Sequence, residues 1–277
     1  MTNKRGINLL LWGVEMTEDL LPVLNLIKET GYDTVEIPIM NADISQWKNW
    51  KKRLDELGLN VVAETINGPD LNSIDKDPDV RKMALEFNKG VIDVANFLEA
   101  ELFIGPYHSA LGVFTSEPAT NEEKKWAAEN LWHLAEHGQK SGVMLGLEYL
   151  NRFESYLCTC TDETLELIDL VDHPNCQMMF DTFHANIEEK DLAEAIKKIG
   201  KRLVHVQLSE NDRGTLGAGH IDFPEIVDAL KGIDYQGVIS VEAFSQKLSA
   251  AHIWRQMFES EEQLVKDSYV YLNKLLE

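Results

Sequence analysis

Eight times along its 277 residues the chain repeats one pattern: a short apolar run, a turn, then a segment whose apolar residues recur at helical spacing. The runs fall at 6–13, 33–39, 60–66, 101–106, 144–147, 177–180, 203–208 and 237–242. Helical periodicity covers 20–27, 47–57, 78–100, 126–140, 161–171, 191–199, 223–231 and 261–276. Gly31 and Gly58 stand where a helix would close, and "TDE" at 161–163 reads as a helix start. Runs that are apolar throughout suit a parallel sheet covered on both faces. Eight such units without a linker or low-complexity break predict an α/β fold, a single-domain (β/α)8 barrel over 1–277. A doubly wound open sheet is the alternative, but the GxGxxG turn it often carries after its first strand is absent.

Four of the runs end in, or carry near their ends, a polar side chain that can ligate a cation. "MLGLEY" reaches Glu148, "QMMFD" reaches Asp181, "LVHVQL" carries Gln207 and "GVISVE" reaches Glu242. One acid at a strand end is ordinarily a solvated acid; four polar ends on successive runs argue for a shared purpose. In such barrels the active site lies at the C-terminal ends of the strands. Adjacent strands run about 4.8 Å apart, so the four groups can converge on one ion. Three carboxylates in one cavity raise one another's pKa unless a cation neutralises them. Oxygen donors suit a hard divalent ion, Mn²⁺ first with Co²⁺ or Mg²⁺ as alternatives, better than zinc. Four protein ligands leave two places in a six-coordinate shell for substrate oxygens. The chemistry expected is metal-assisted proton abstraction beside a carbonyl.

Charge narrows the partners. Lys and Arg number 26 against 47 Asp and Glu, a net of −21, which repels nucleic-acid phosphates and anionic membranes. No Lys/Arg cluster offers a pocket for a multiply charged anion, so the expected substrate is a small neutral molecule. No apolar stretch approaches a membrane span, and the start lacks a signal-peptide pattern. The three cysteines, Cys158, Cys160 and Cys176, are an odd and sparse set that suggests reduced thiols in a cytoplasmic protein.

The stretches "EYLNRFESY", "MMFDTFHANIEE", "SENDRGTLGAGHIDF" and "GPYHSALGVF" resemble the D-tagatose 3-epimerase / D-psicose (allulose) 3-epimerase family of the sugar isomerase/epimerase TIM-barrel superfamily. The resemblance spans both halves of the chain. It implies a metal-dependent ketose 3-epimerase in which Glu148 and Glu242 are metal ligands and the acid/base pair, with Asp181 a further ligand. Glu154, His184 and Arg213 would contact the sugar's oxygens. In that family's reaction one glutamate takes the C3 proton to leave a metal-held enediolate, and the other returns a proton on the opposite face. The expected partner is a free ketose, and the expected state is a homo-oligomer, dimer or tetramer.

One departure stands out. The family usually shows two histidines at i, i+2 on strand seven, the second being the ligand; here the chain reads His205-Val206-Gln207. Both side chains would face the interior, with Gln207 nearer the mouth; His205 as the ligand is the open alternative. Hydroxypyruvate isomerase relatives resemble the chain at this position, so an aldose–ketose or hydroxypyruvate-type isomerase is the rival function. Singly, His184 could be a packing histidine, and Arg213 a surface arginine paired with Glu210 or Asp212. Glu36 and Glu64 could line the cavity without catalytic duty. Trp12 and His108 sit where they would either form an apolar wall for the sugar or simply pack. Trp126, Trp132 and Trp254 read as outer packing on helices.

Overall fold

Alternation hidden inside the apolar runs decides which side chains reach the centre of the molecule. The computed structural model describes residues 1–277. Its eight parallel strands are β1 Arg5–Asn8, β2 Thr34–Pro38, β3 Asn60–Glu64, β4 Leu102–Gly105, β5 Met144–Leu147, β6 Cys176–Asp181, β7 Leu203–Leu208 and β8 Ile239–Val241. They close into a barrel in sequence order, with β1 pairing both β2 and β8. Around them run α1 Val23–Thr30, α2 Lys48–Leu57, α3 Pro78–Phe97, α4 Asn121–Ser141, α5 Thr161–Val171, α6 Thr182–Glu188, α7 Leu192–Ile199, α8 Phe223–Gly232 and α9 Glu261–Leu276.

Successive side chains of a strand point to opposite faces. Val35 and Ile37 of β2, Val206 and Leu208 of β7, and Ile239 and Val241 of β8 therefore join the core between sheet and helices, a cluster of 63 buried residues. Each large apolar side chain there contributes about 1.5–3 kcal/mol, so the outward set holds the barrel together. The inward set is then free to be polar. A small apolar plug of Val62, Ile104 and Met179 closes the lumen apart from the main core. Two residues further along, β3 and β6 end in Glu64 and Asp181. The register shifts between Met178 and Met179 and then brings Asp181 opposite Gln207 on β7.

The helix stops read from the sequence are as expected: Gly31 and Gly58 take left-handed backbone and cap α1 and α2. Other expectations need correcting. The first run is a strand only to Asn8; its remainder, Leu9–Trp12, turns into a 3₁₀ helix capped by the Asn8 side chain. A helix absent from the sequence reading, α6, begins directly after Asp181, whose Oδ1 accepts the Phe183 N–H at 2.9 Å. "TDE" does start α5, yet not as a capping box. Glu163 instead accepts from Thr159 N at 2.8 Å and Thr159 Oγ1 at 2.9 Å. Trp254 lies on no helix but in the segment between β8 and α9, 82% exposed.

Candidate active site

A cavity of about 600 Å³ opens at the C-terminal ends of the strands. Glu64, Glu148, Glu154, His184, Arg213 and Glu242 supply most of its polar wall, and Leu10, Phe153, Phe183 and Phe244 are among its apolar residues. Glu148 and Glu242 each stand one residue past a strand, where the backbone still continues the ladder: Glu148 N donates to Gly105 O, and Glu242 N to Leu208 O. Both side chains, with Asp181, are buried.

Arg213 ties this group together. Nη1 donates to Asp181 Oδ2 at 2.8 Å, to Ser209 Oγ at 2.9 Å, and to Glu242 Oε2. Its guanidinium lies between two aromatic faces, 3.8 Å from the Phe183 ring centre and 4.4 Å from that of Phe244. Arg213 adopts left-handed backbone at φ 62°, sparsely populated for a side chain of this size. A turn bond to Glu210 O and the Phe244 N–H on its own carbonyl hold it there. The surface-arginine alternative is excluded: Glu210 accepts from Gly217 N and Asp212 from Gly214 N.

His184, on α6, offers a ligand atom that together with those of Glu148 and Asp181 falls within a 4.8 Å set. Its Nδ1 accepts the Asn151 backbone N–H at 3.0 Å, and Arg213 Nη2, a donor that cannot accept, lies 3.0 Å from Nε2. That nitrogen faces Asp181 Oδ2 at 3.4 Å and Glu148 Oε1 at 3.5 Å. Burial, then the charge of Arg213, holds the His184 pKa well below the usual imidazole range. Glu154 lines the cavity and accepts from Asn151 Nδ2 at 2.9 Å.

The remaining candidates sit apart from the wall. Gln207 is fully buried, and its Nε2 donates to Glu36 Oε2 at 2.8 Å while Glu36 Oε1 bonds His205 Nε2. His108 is buried behind the site with Ser109 Oγ at 2.9 Å from Nδ1, and does not line the cavity. Trp12, half-buried, packs against the main core and also lies off the wall.

Electrostatics set the chemistry. Burial pushes the carboxyl groups of Glu148 and Glu242 well above the usual range, and neighbouring acids add to it against the opposing charge of Arg213. Glu64 rises to about 8, from burial first and then from Glu36. Asp181 is raised less, because Arg213 opposes the effect of burial. Five buried acids, Glu36, Glu64, Glu148, Asp181 and Glu242, surround one guanidinium. A divalent cation fits this donor set on two observations. The negative charge exceeds what Arg213 neutralises, and Gln207 Oε1 is buried with no hydrogen-bond partner. Glu148, Asp181, Glu242 and the Gln207 carbonyl form an all-oxygen set of the kind hard cations take.

Sequence reading missed Asn8, which donates to Glu64 at 2.8 Å and Glu242 at 3.0 Å, and Asn151, whose backbone N–H donates to His184 Nδ1. Asn8 had a signal: a lone amide at an inward-facing position of an apolar run. Asn151 had none, since its partner lies on another element.

The sequence matches the family model described as xylose isomerase-like TIM barrel over residues 24–273. It is 30% identical over 279 residues to the D-psicose 3-epimerase of Enterocloster bolteae, covering 96% of this chain and 92% of that protein. The structure superposes on an L-ribulose 3-epimerase with a TM-score of 0.92 at 29% identity, over 99% of this chain and 95% of that one. It matches a D-allulose 3-epimerase from Methylomonas sp., solved in complex with D-allulose, with a TM-score of 0.92 at 26% identity, over 98% and 96% of the two chains.

Proposed function

The chain belongs to the xylose isomerase-like TIM barrel family, and from that premise we propose how its site acts: Glu148 and Glu242 exchange the C3 proton of a free ketose from opposite faces. The enzyme class is sugar isomerase, and the activity is ketose 3-epimerisation, as in the relatives above. The observation that carries the proposed roles is the placing of these two buried carboxyl groups on one cavity from β5 and β8, three strands apart around the barrel. Burial raises both carboxyl groups above the usual carboxylate range, the direction in which an acid/base pair is tuned.

The rest of the wall follows from that exchange. His184, held between Asn151 and Arg213, contacts a substrate oxygen from beside Glu148 and Asp181. Arg213 and Glu154 take further hydroxyl groups. Phe183 and Phe244 keep the guanidinium fixed, and Phe153 and Leu10 help screen the reacting carbon from water. Glu148, Asp181, Gln207 and Glu242 would hold a divalent cation, Mn²⁺ first, which when bound polarises the carbonyl and steadies negative charge on its oxygen. Arg213 is the only Lys or Arg on the wall and is already bonded to two acids, which favours an unphosphorylated sugar.

The test is incubation of a panel of ketoses with the protein and Mn²⁺ in D₂O. Deuterium at C3 with a C3-epimeric ketose is expected. An aldose or aldehyde product would instead establish the isomerase reading that Gln207 favours, and no exchange at all would reduce the site to sugar binding. We place the protein in the cytoplasm, supported by three unpaired cysteines and by the lack of any helix long and apolar enough to cross a membrane. Self-association is supported by Phe153 and Trp254, exposed by 72% and 82%; light scattering at two concentrations tests it.

A further inference from the structure

We propose that Glu36 is a positioning residue: it fixes the Gln207 amide so that its carbonyl oxygen, and not its NH₂ group, is left to ligate a cation. This rests on the reading of Gln207 as a ligand. The difficulty it addresses belongs to glutamine alone. A carboxylate presents oxygen whichever way it turns, whereas an amide presents oxygen one way and a non-ligating NH₂ the other. Some partner must select the orientation. In the lumen that partner is Glu36, which reaches across from β2 to the far side of the barrel. Its Oε2 accepts from Gln207 Nε2 at 2.8 Å, and its Oε1 is taken by His205 Nε2. All three residues are fully buried, so no solvent competes for these atoms.

A carboxylate accepts and does not donate, so the group facing it from Gln207 is the NH₂. The Gln207 carbonyl oxygen is then the free end, buried and without a partner, on a residue in register with Asp181. His205 completes the device by occupying the second Glu36 oxygen, which keeps the carboxylate from turning away. The i, i+2 pair on β7 thus divides its work, with His205 fixing Glu36 and Glu36 fixing Gln207.

Glu36→Gln is the informative substitution because it inverts the device. The amide introduced on β2 keeps an oxygen for His205 and turns its own NH₂ to Gln207. Gln207 must then offer its oxygen to that NH₂ and its own NH₂ to the cation. The readout is Mn²⁺ affinity of chelator-stripped protein, measured by the resonance of free Mn²⁺. Glu36→Gln should weaken binding about 10–100-fold, the usual cost of losing an outer partner of a ligand. In a Gln207→Glu background the same substitution should cost nothing, since a carboxylate at 207 needs no orienting. Equal loss in both backgrounds would mean that Glu36 acts only through its charge, and no loss in the wild type would also overturn the proposal. Gln207→Ala separates the underlying reading: unchanged affinity there removes Gln207 from the ligand set whatever Glu36 does. Should the Glu36 variant fail to fold, crystals of wild-type protein with Mn²⁺ decide the matter. Gln207 Oε1 must lie on the ion with Nε2 still on Glu36, and an amide swung off Glu36 would refute the proposal.

Discussion

Arg213 donates to Asp181 across 2.8 Å, both side chains buried at the cavity wall, and the same nitrogen bonds Glu242. One cation thus serves two acids that are proposed ligands. Removing one partner of a buried ion pair typically costs about 3–5 kcal/mol, because the charge left behind is uncompensated. Arg213→Met should therefore destabilise metal-free protein by a few kcal/mol, and less once Mn²⁺ is bound. Chemical denaturation with and without metal checks both parts; an equal loss in the two states would mean that the cation and Arg213 do not share the same charges.

Chelation should abolish epimerisation, and Mn²⁺, Co²⁺ or Mg²⁺ should restore it. Full turnover in metal-free protein would remove the cation from the reaction. Stripped protein should also respond to pH. Glu64 rises from 4.5 to about 8 in the fold, through burial and then Glu36. Its unfolded form releases the proton first, so the contribution to stability is complete below about 4.5 and lost as pH rises to about 8. Above about 6.5, where His108 no longer works in the opposite direction, melting temperatures of stripped protein should fall, and a bound cation, which favours the ionised acids, should flatten the decline.

His108 works in the opposite sense. Burial pushes its pKa from 6.5 down to about 4, so the unfolded chain takes up a proton that the fold refuses. Stability contributed by the neutral ring is present above 6.5 and lost as pH falls towards about 4. At about 1.4 kcal/mol per pKa unit the full effect is about 3 kcal/mol. His108→Asn should flatten the acid limb of a stability–pH curve whatever it does at neutral pH. An unchanged limb would mean that the ring is hydrated in solution.

How far the sequence discloses this molecule depends on whether a feature is local. The barrel is legible because each strand must bury an outward face such as Val206 and Leu208, whatever lies elsewhere. Glu148, Asp181 and Glu242 are legible because an acid ending an apolar run is locally anomalous. Glu36 and Asn8 are nearly so: each is a lone polar residue among apolar ones, but its purpose depends on partners on distant strands. Helix α6 escapes notice because seven residues give too little periodicity, and its start is set by an Asp181 already noticed for another reason. The burial of Arg213 is illegible altogether. Its loop carries charged and glycine residues that read as surface, and the groups that draw it inside, Asp181 and Glu242 with the Phe183 and Phe244 rings, come from other elements.

The sharpest expectation concerns Glu148 and Glu242 as a two-faced proton pair. Alanine is a poor probe, since it would remove a proposed ligand and a base together. Glutamine keeps size and an oxygen but takes no proton, so Glu148→Gln and Glu242→Gln should each retain metal and lose epimerisation by at least about 10²–10⁴-fold. The two variants should differ in stability. Glu148 has only the His184 imidazole near its Oε1, at 3.5 Å. Glu242 accepts from Asn8 on one oxygen and Arg213 on the other, so an amide there must set an NH₂ against a donor. Glu242→Gln should accordingly be the less stable of the two in metal-free form. Each variant keeps one base, and the epimer whose C3 hydrogen faces that base should still exchange it with D₂O while failing to invert. Mass spectrometry of both epimers after long incubation reads this directly. Near wild-type inversion by either variant would leave a single base to serve both faces and end the two-base mechanism for this protein.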